Sequence, residues 1–263
     1  MRIRTHIQAA AVAATAAVLL TASLPAPASG AGKEERQHRQ PKPTVVLVHG
    51  AWADSSSWNP VIDRLRKDGY PVRAIANPLQ GLTSDSAYLS SYLTAIEGPK
   101  VLVGHSYGGA VITNAATSVP DVKSLVYIAA FIPAKGETLA ELTAGSDLPL
   151  VYTPVPGGTD VTIDPAQFRE FFAGDLDKNT AADLAITQRP ANARAVLDVS
   201  AEEGFDTIPS WALLTRRDHA IDPALQRMMV GRAGAHVTEV DASHAVMLSR
   251  PGVVTDVIER AAR

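Results

Sequence analysis

Residues 100–112 read Lys100-Val101-Leu102-Val103-Gly104-His105-Ser106-Tyr107-Gly108-Gly109-Ala110-Val111-Ile112. An apolar run of this length, free of charge after Lys100, predicts a strand buried on both faces. It stops at Gly104, and the residues after Ser106 predict a helix from Tyr107 to Thr117. Between them stands Gly-X-Ser-X-Gly. A strand that turns straight into a helix forces the central residue into strained backbone geometry. Glycines two places either side let strand and helix approach without Cβ clashes. The serine hydroxyl then stands above the sheet edge at a helix N-terminus, where free N–H groups favour developing negative charge. The five-residue pattern alone is weak. Its setting, strand before and helix after, makes Ser106 the candidate nucleophile.

Outward from this turn, short apolar runs alternate with amphipathic stretches. Val45 to Val48 predicts a first strand, and a helix from about Ser57 presents Trp58, Val61, Ile62 and Leu65 on one face before Gly69 ends it. A strand at 72–75 and a helix at 83–97 precede the serine turn. Strands at 125–129, 211–214 and 237–240 and helices at 224–230 and 253–262 follow it. This alternation predicts an α/β fold, a mainly parallel sheet with helices on both faces. Residues 133–206 break the rhythm with Pro154, Pro156, Gly157, Gly158 and Pro165, then a helical stretch at 167–172. They are expected to form a helical cap inserted in the domain. Tyr152, Phe168, Phe171 and Phe172 either line a cleft beneath that cap or make a small core of its own.

A serine at its free pKa is a poor nucleophile and needs a positioned base. In a fold of this kind the partners follow in the order serine, acid, histidine. Of seven histidines, His6 and His38 precede the domain, and His49 and His105 flank glycine turns whose shape they serve. His236 begins a strand and so lies at the opposite sheet edge. His244 falls in the loop between the last strand and the closing helix, at the edge where Ser106 emerges. It is the expected base, with His219 as the fallback. Asp218, just past the strand 211–214, is the expected acid; Asp222 is the alternative but precedes Pro223 like a helix N-cap, and Asp206 lies at the wrong edge. The tetrahedral oxyanion needs N–H donors. Tyr107, after the nucleophile, supplies one. The turn His49-Gly50-Ala51-Trp52 offers the Ala51 amide as the other and Trp52 as a substrate-facing side chain.

Val46-Leu47-Val48-His49-Gly50-Ala51-Trp52, Gly104-His105-Ser106-Tyr107-Gly108-Gly109 and Ser243-His244-Ala245 together resemble the α/β-hydrolase superfamily, most closely its branch of methyl esterases, hydroxynitrile lyases and related bacterial esterases. The resemblance runs from Thr44 to the C-terminus and is weakest over 133–206. It implies a Ser-His-Asp triad, a helical cap and no cofactor. The lyases of that branch carry threonine at the position of Gly50 and lysine at that of Ala245. Neither group is present, which favours hydrolysis. The resulting expectation is a serine hydrolase of a small apolar ester, with no metal. The same triad admits a cofactor-free perhydrolase, and the fold admits a non-catalytic ligand-binding protein.

The rest of the chain bounds these readings. Of 263 residues 46% are hydrophobic and 19% charged, enough for one large core. Net charge is −3, which excludes a basic nucleic-acid footprint. There is no cysteine, hence no disulfide, thiolate metal site or cysteine catalysis. Arg2 and Arg4, an apolar run from Ala9 to Leu20 and Ala26-Pro27-Ala28 form a secretory signal pattern. The run is too short for a stable membrane anchor, which takes about 20 residues. Expected organisation is therefore a signal peptide over 1–28, a flexible leader over 29–43 and the hydrolase domain over 44–263, in a secreted protein.

Overall fold

The computed structural model describes residues 41–263. The expected signal peptide and the leader as far as Gln40 lie outside them. The chain runs β1 (Thr44–Val48), α1 (Asn59–Lys67), β2 (Val72–Ile75), α2 (Leu82–Thr94), β3 (Lys100–His105), α3 (Tyr107–Ala115) and β4 (Val122–Ile128). An insertion follows: α4 (Leu139–Leu142), β5 (Leu150–Val155), β6 (Gly158–Ile163), α5 (Phe168–Phe172), α6 (Lys178–Ile186), β7 (Ala191–Asn192) and α7 (Arg194–Leu197). The domain then closes with β8 (Ser210–Thr215), α8 (Pro223–Arg232), β9 (His236–Val240), α9 (Val246–Ser249) and α10 (Pro251–Ala261).

Six strands form one sheet in the order β2-β1-β3-β4-β8-β9, every pair parallel. Successive side chains alternate between its faces. Val46 and Leu102 join Val111, Ile112 and Tyr127 in one core layer. Val45, Leu47, Val101 and Val103 join Trp58, Leu65 and Ile258 in the other. Both layers exclude water, which is why these strands are uniformly apolar. The connection from β1 leads outward to β2, and that from β3 leads the opposite way to β4. Their carboxyl ends therefore frame a crevice at the reversal of strand order, where open α/β sheets place ligands.

The insertion corrects one expectation. It is not purely helical: β5, β6 and β7 form an antiparallel sheet beside the short helices. Pro156-Gly157, read from sequence as a break, is the tight turn of a hairpin in which Val155 pairs with Gly158. Proline before a glycine at φ 95° is the chemistry of a type II turn. Pro154 is tolerated because β5 is an edge strand. Of the four aromatics, Phe168 and Phe172 are buried in a small cap core with Ile163, Ala181 and Ala185. Tyr152 is largely exposed and reaches the cleft below. Among the described residues no helix is long and apolar enough to cross a membrane.

Candidate active site

Ser106 sits at the junction of β3 and α3 with φ 53° and ψ −125°, a conformation L-residues rarely adopt. Two features hold it there. Its N–H donates to the carbonyls of Ile128 and Ala129, at 3.3 and 3.2 Å, and its carbonyl accepts from Phe131 N–H at 3.1 Å. The glycines are obligatory for steric reasons: a Cβ at Gly104 would meet Gly108 O at 2.5 Å, and one at Gly108 would meet Val48 O at 2.4 Å. The backbone of β1 thus touches the first turn of α3, which fixes the loop after β1 beside the serine.

That loop brings in Gly50, Ala51 and Trp52. A Cβ on Gly50 would stand 2.6 Å from Ser106 Cβ, so no side chain fits. The N–H groups of Ala51 and Tyr107 donate to no other described residue. Tyr107 opens α3, so its amide belongs to the unsatisfied first turn. Its phenol is buried and donates to Asp85 Oδ2 at 2.8 Å, with Gln80 N–H on the same carboxylate. Burial raises the Asp85 pKa against these bonds, and burial with the Asp85 charge lifts Tyr107 well above the usual phenol range. Trp52, at φ 61°, lines the cleft and donates its indole N–H to Val161 O on β6 at 2.9 Å.

His244 follows β9 and is fully buried. Its Nδ1–H donates to Asp218 Oδ2 at 2.8 Å, leaving Nε2 as a buried lone pair without a partner. Asp218 is buried too and saturated with donors. Oδ1 accepts from the amides of Ala220 and Ile221, both at 2.9 Å, and Oδ2 also accepts from Thr215 Oγ1 at 2.7 Å and Gln226 Nε2 at 2.9 Å. The chain that carries the imidazole is held by three further bonds. His105 Nε2–H donates to the His244 carbonyl at 3.0 Å, Ala245 N–H donates to Phe172 O at 3.0 Å, and the Ser243 hydroxyl donates to Asp175. The ring of Phe172 packs edge-on, 4.9 Å from that of His244.

His105, the residue before Ser106, has its ring 4.7 Å from that of His244. Burial first, and then the neighbouring His244, hold its pKa well below the usual imidazole range. His49 is lowered to about 4, chiefly by burial. Its Nε2 accepts Asn77 N–H at 3.0 Å, so Nδ1 carries the proton and donates to Gly50 O at 2.9 Å. Both rings are neutral scaffolding under the site.

The structure thus brings Asp218, His244 and the Ser106 turn to one sheet edge, beside the Ala51 and Tyr107 amides. The alternatives fall elsewhere. His219 is exposed against Phe171, His236 stacks on Trp211 at the start of β9, and Asp222 caps α8 by accepting from Ala224 N–H. Asp206 precedes β8 at the amino edge. Thr215, Gln226, His105, Asp85 and Asp175 were not singled out by sequence as holding the site, since each partner is distant in the chain or one helical turn away without local pattern.

A cavity of about 380 Å³ opens on Ser106, Ala51 and Tyr107, with Trp52, Leu148 and Val161 among its walls and no charged side chain. A larger hollow of about 510 Å³ runs along the Asp218–Asp222 loop under Phe171 but does not reach Ser106. Of the two, the smaller is the candidate site, because Ser106, Ala51 and Tyr107 all line it. Among the described residues no group of three His, Asp or Glu could hold a metal ion.

The alpha/beta hydrolase family matches residues 45–257. The carbendazim hydrolyzing esterase of Nocardioides sp. is 34% identical over 147 residues, which cover 51% of this chain and 56% of that protein. The chain thus aligns with little more than half of that relative's length. Methylesterase 18 of Arabidopsis thaliana is 24% identical over 241 residues, 78% of this chain and 92% of its own. Among solved structures, polyneuridine aldehyde esterase superposes with a TM-score of 0.71 at 19% identity, covering 84% of this chain and all of that one.

Proposed function

This chain belongs to the alpha/beta hydrolase family, and on that premise we propose that it is a serine esterase that cleaves small, neutral, apolar carboxylic esters through an acyl-enzyme. The observation that carries the reading is the buried His244–Asp218 pair at 2.8 Å, with His244 Nε2 left free beside the strained Ser106 turn. The carboxylate fixes the imidazole tautomer and stabilises the imidazolium that forms. Ser106 Oγ attacks the ester carbonyl as Nε2 takes its proton. The resulting oxyanion lies against the Ala51 and Tyr107 amides, donors of a kind worth about 3 kcal/mol each. Collapse expels the alcohol, which receives the proton from His244. Water, deprotonated by the same Nε2, then adds to the acyl carbon and releases the acid and free Ser106.

An uncharged cavity wall supports a neutral substrate, since a carboxylate buried there would lose its water with nothing to pair with. Trp52 as a wall of that cavity supports its role in substrate binding. Lyase chemistry has no support: Gly50 has no space for a hydroxyl-bearing side chain, and Ala245 is a buried alanine. The signal pattern of residues 1–28 supports export, which N-terminal sequencing of protein from the culture medium checks.

Ser106→Ala is expected to lower kcat/KM on a panel of p-nitrophenyl esters by about 10⁴-fold or more while the circular dichroism spectrum is unchanged. A fluorophosphonate should label Ser106 in the parent only. Full activity in Ser106→Ala, or faster turnover of esters bearing an acyl carboxylate than of neutral ones, would overturn the reading of the nucleophile or of the substrate respectively.

A further inference from the structure

Three donors meet on one oxygen of Asp218. His244 Nδ1 at 2.8 Å, Thr215 Oγ1 at 2.7 Å and Gln226 Nε2 at 2.9 Å all address Oδ2, while Oδ1 has two amides of its own. Thr215 ends β8 and Gln226 sits on α8, and both are buried. Gln226 is itself locked: its Nε2 also reaches Ile221 O at 2.9 Å, and its Oε1 accepts Thr215 N–H at 3.3 Å. Holding an acid in place needs fewer bonds than this. Each extra donor withdraws negative charge from the oxygen that His244 leans on, and so weakens its hold on an imidazolium.

We propose that Thr215 and Gln226 are positioning residues that reduce the basicity of His244 by sharing the carboxylate oxygen it depends on, extending activity toward acid. This rests on His244 acting as base, as proposed above. A general base is useful only while unprotonated, so the arrangement exchanges some proton affinity for a larger neutral fraction at mildly acidic pH. The other groups facing His244 are His105 from β3, with His49 behind it, and Asp175 from the cap, bonded to Ser243 and 3.9 Å from Arg250. None of them shares a hydrogen bond with the side chain of Thr215 or Gln226, so substitution there leaves their bonds in place.

The test is the acid limb of the pH profile of kcat/KM for Thr215→Val, with Thr215→Ser as the rescue that keeps the hydroxyl. Loss of one donor to the charged oxygen is expected to move the limb up by about 0.5–1 pH unit. Thr215→Ser should coincide with the parent, and Gln226→Met should shift in the same direction. NMR titration of the His244 imidazole in the same proteins should show the same displacement. A lower kcat with limb and imidazole titration unmoved, or moved to lower pH, would overturn the proposal and reduce both residues to scaffolding. If Ser106→Ala stays fully active, the esterase reading fails instead, and the imidazole titration alone still decides this one.

Discussion

At the scale of single residues, the tightest constraint in the site is a missing side chain. The Cα of Gly50 faces Ser106 so closely that even an alanine methyl would stand 2.6 Å from Ser106 Cβ and 2.9 Å from His105 O. Both neighbours are pinned: Ser106 by its four backbone bonds, His105 by its bond to the His244 carbonyl. Relief must come from the loop, which carries the Ala51 amide away from the oxyanion position proposed above. A displacement near 1 Å costs about 10²-fold in rate, and overpacking adds about 1–3 kcal/mol of destabilisation. Gly50→Ala is therefore expected to lose about a hundredfold in kcat while still unfolding cooperatively in a thermal melt; kcat within threefold of the parent would refute the steric argument. Gly50 was readable in the sequence as a turn glycine beside a candidate oxyanion donor, and Ser106, Asp218 and His244 were readable from their places after strands. Contacts such as Tyr107–Asp85 or Gln226–Asp218 were not. They depend on which side chains point inward at two separate elements, and no single stretch records that.

At the scale of elements, the cap and the histidine loop behave as one piece. Asp175, just past α5, accepts the Ser243 hydroxyl, and Phe172 of α5 accepts Ala245 N–H while its ring packs on the imidazole. His244 is gripped on both flanks by the cap, although cap and loop are some 70 residues apart in the chain, so the positions of cap and imidazole are mechanically linked. Ser243→Ala removes the side-chain hydrogen bond between them and leaves the half-buried Asp175 Oδ1 without its donor. A hydrogen bond to a charged group contributes about 1.5–3 kcal/mol. For a domain of this size that lowers Tm by roughly 4–10 °C. Since Ser243 is no part of the cavity wall, kcat is expected to fall about tenfold with KM within twofold, in steady-state kinetics on a neutral ester. A change confined to KM would mean that the tie shapes the cavity rather than the base. The hairpin of this cap escaped the sequence because β5 exposes most of its residues and so lacks the apolar alternation that marks a half-buried strand. The parallel sheet was legible for the opposite reason: two-sided burial leaves uninterrupted apolar runs.

At the scale of the whole molecule, the fold is built on two neutral imidazoles. His49, just past β1, and His105, the last residue of β3, are both without solvent exposure; one proton more would break the bond that His49 accepts, and on His105 it would sit on the buried, unpartnered Nδ1. Protonated His49 could no longer accept Asn77 N–H, and a charge on His105 would face the neighbouring His244. In the unfolded chain both titrate near pH 6.5, whereas in the fold His49 holds out to about 4 and His105 well below its usual range. Between those limits the unfolded state binds more protons than the native one. Stability is therefore complete above about pH 6.5 and is lost as pH falls toward 4. His49 alone accounts for about 3 kcal/mol across that window, and His105 adds to it with the same sign. Other carboxylates do not cancel this. Asp54, Glu137 and Glu239 have lowered pKa values and act with the same sign, but only nearer pH 4 and below. Asp85, raised by burial, acts with the opposite sign but is one group against two. Urea unfolding at pH 7.5, 6.0 and 5.0 should give a free energy that falls steeply over the last interval, and His49→Gln should reduce that slope by about one proton. A free energy that stays level from pH 7.5 to 5.0 would mean that the two imidazoles find water or a counter-charge. It would remove the reason for treating the paired ends of β1 and β3 as the rigid floor beneath Ser106 and His244.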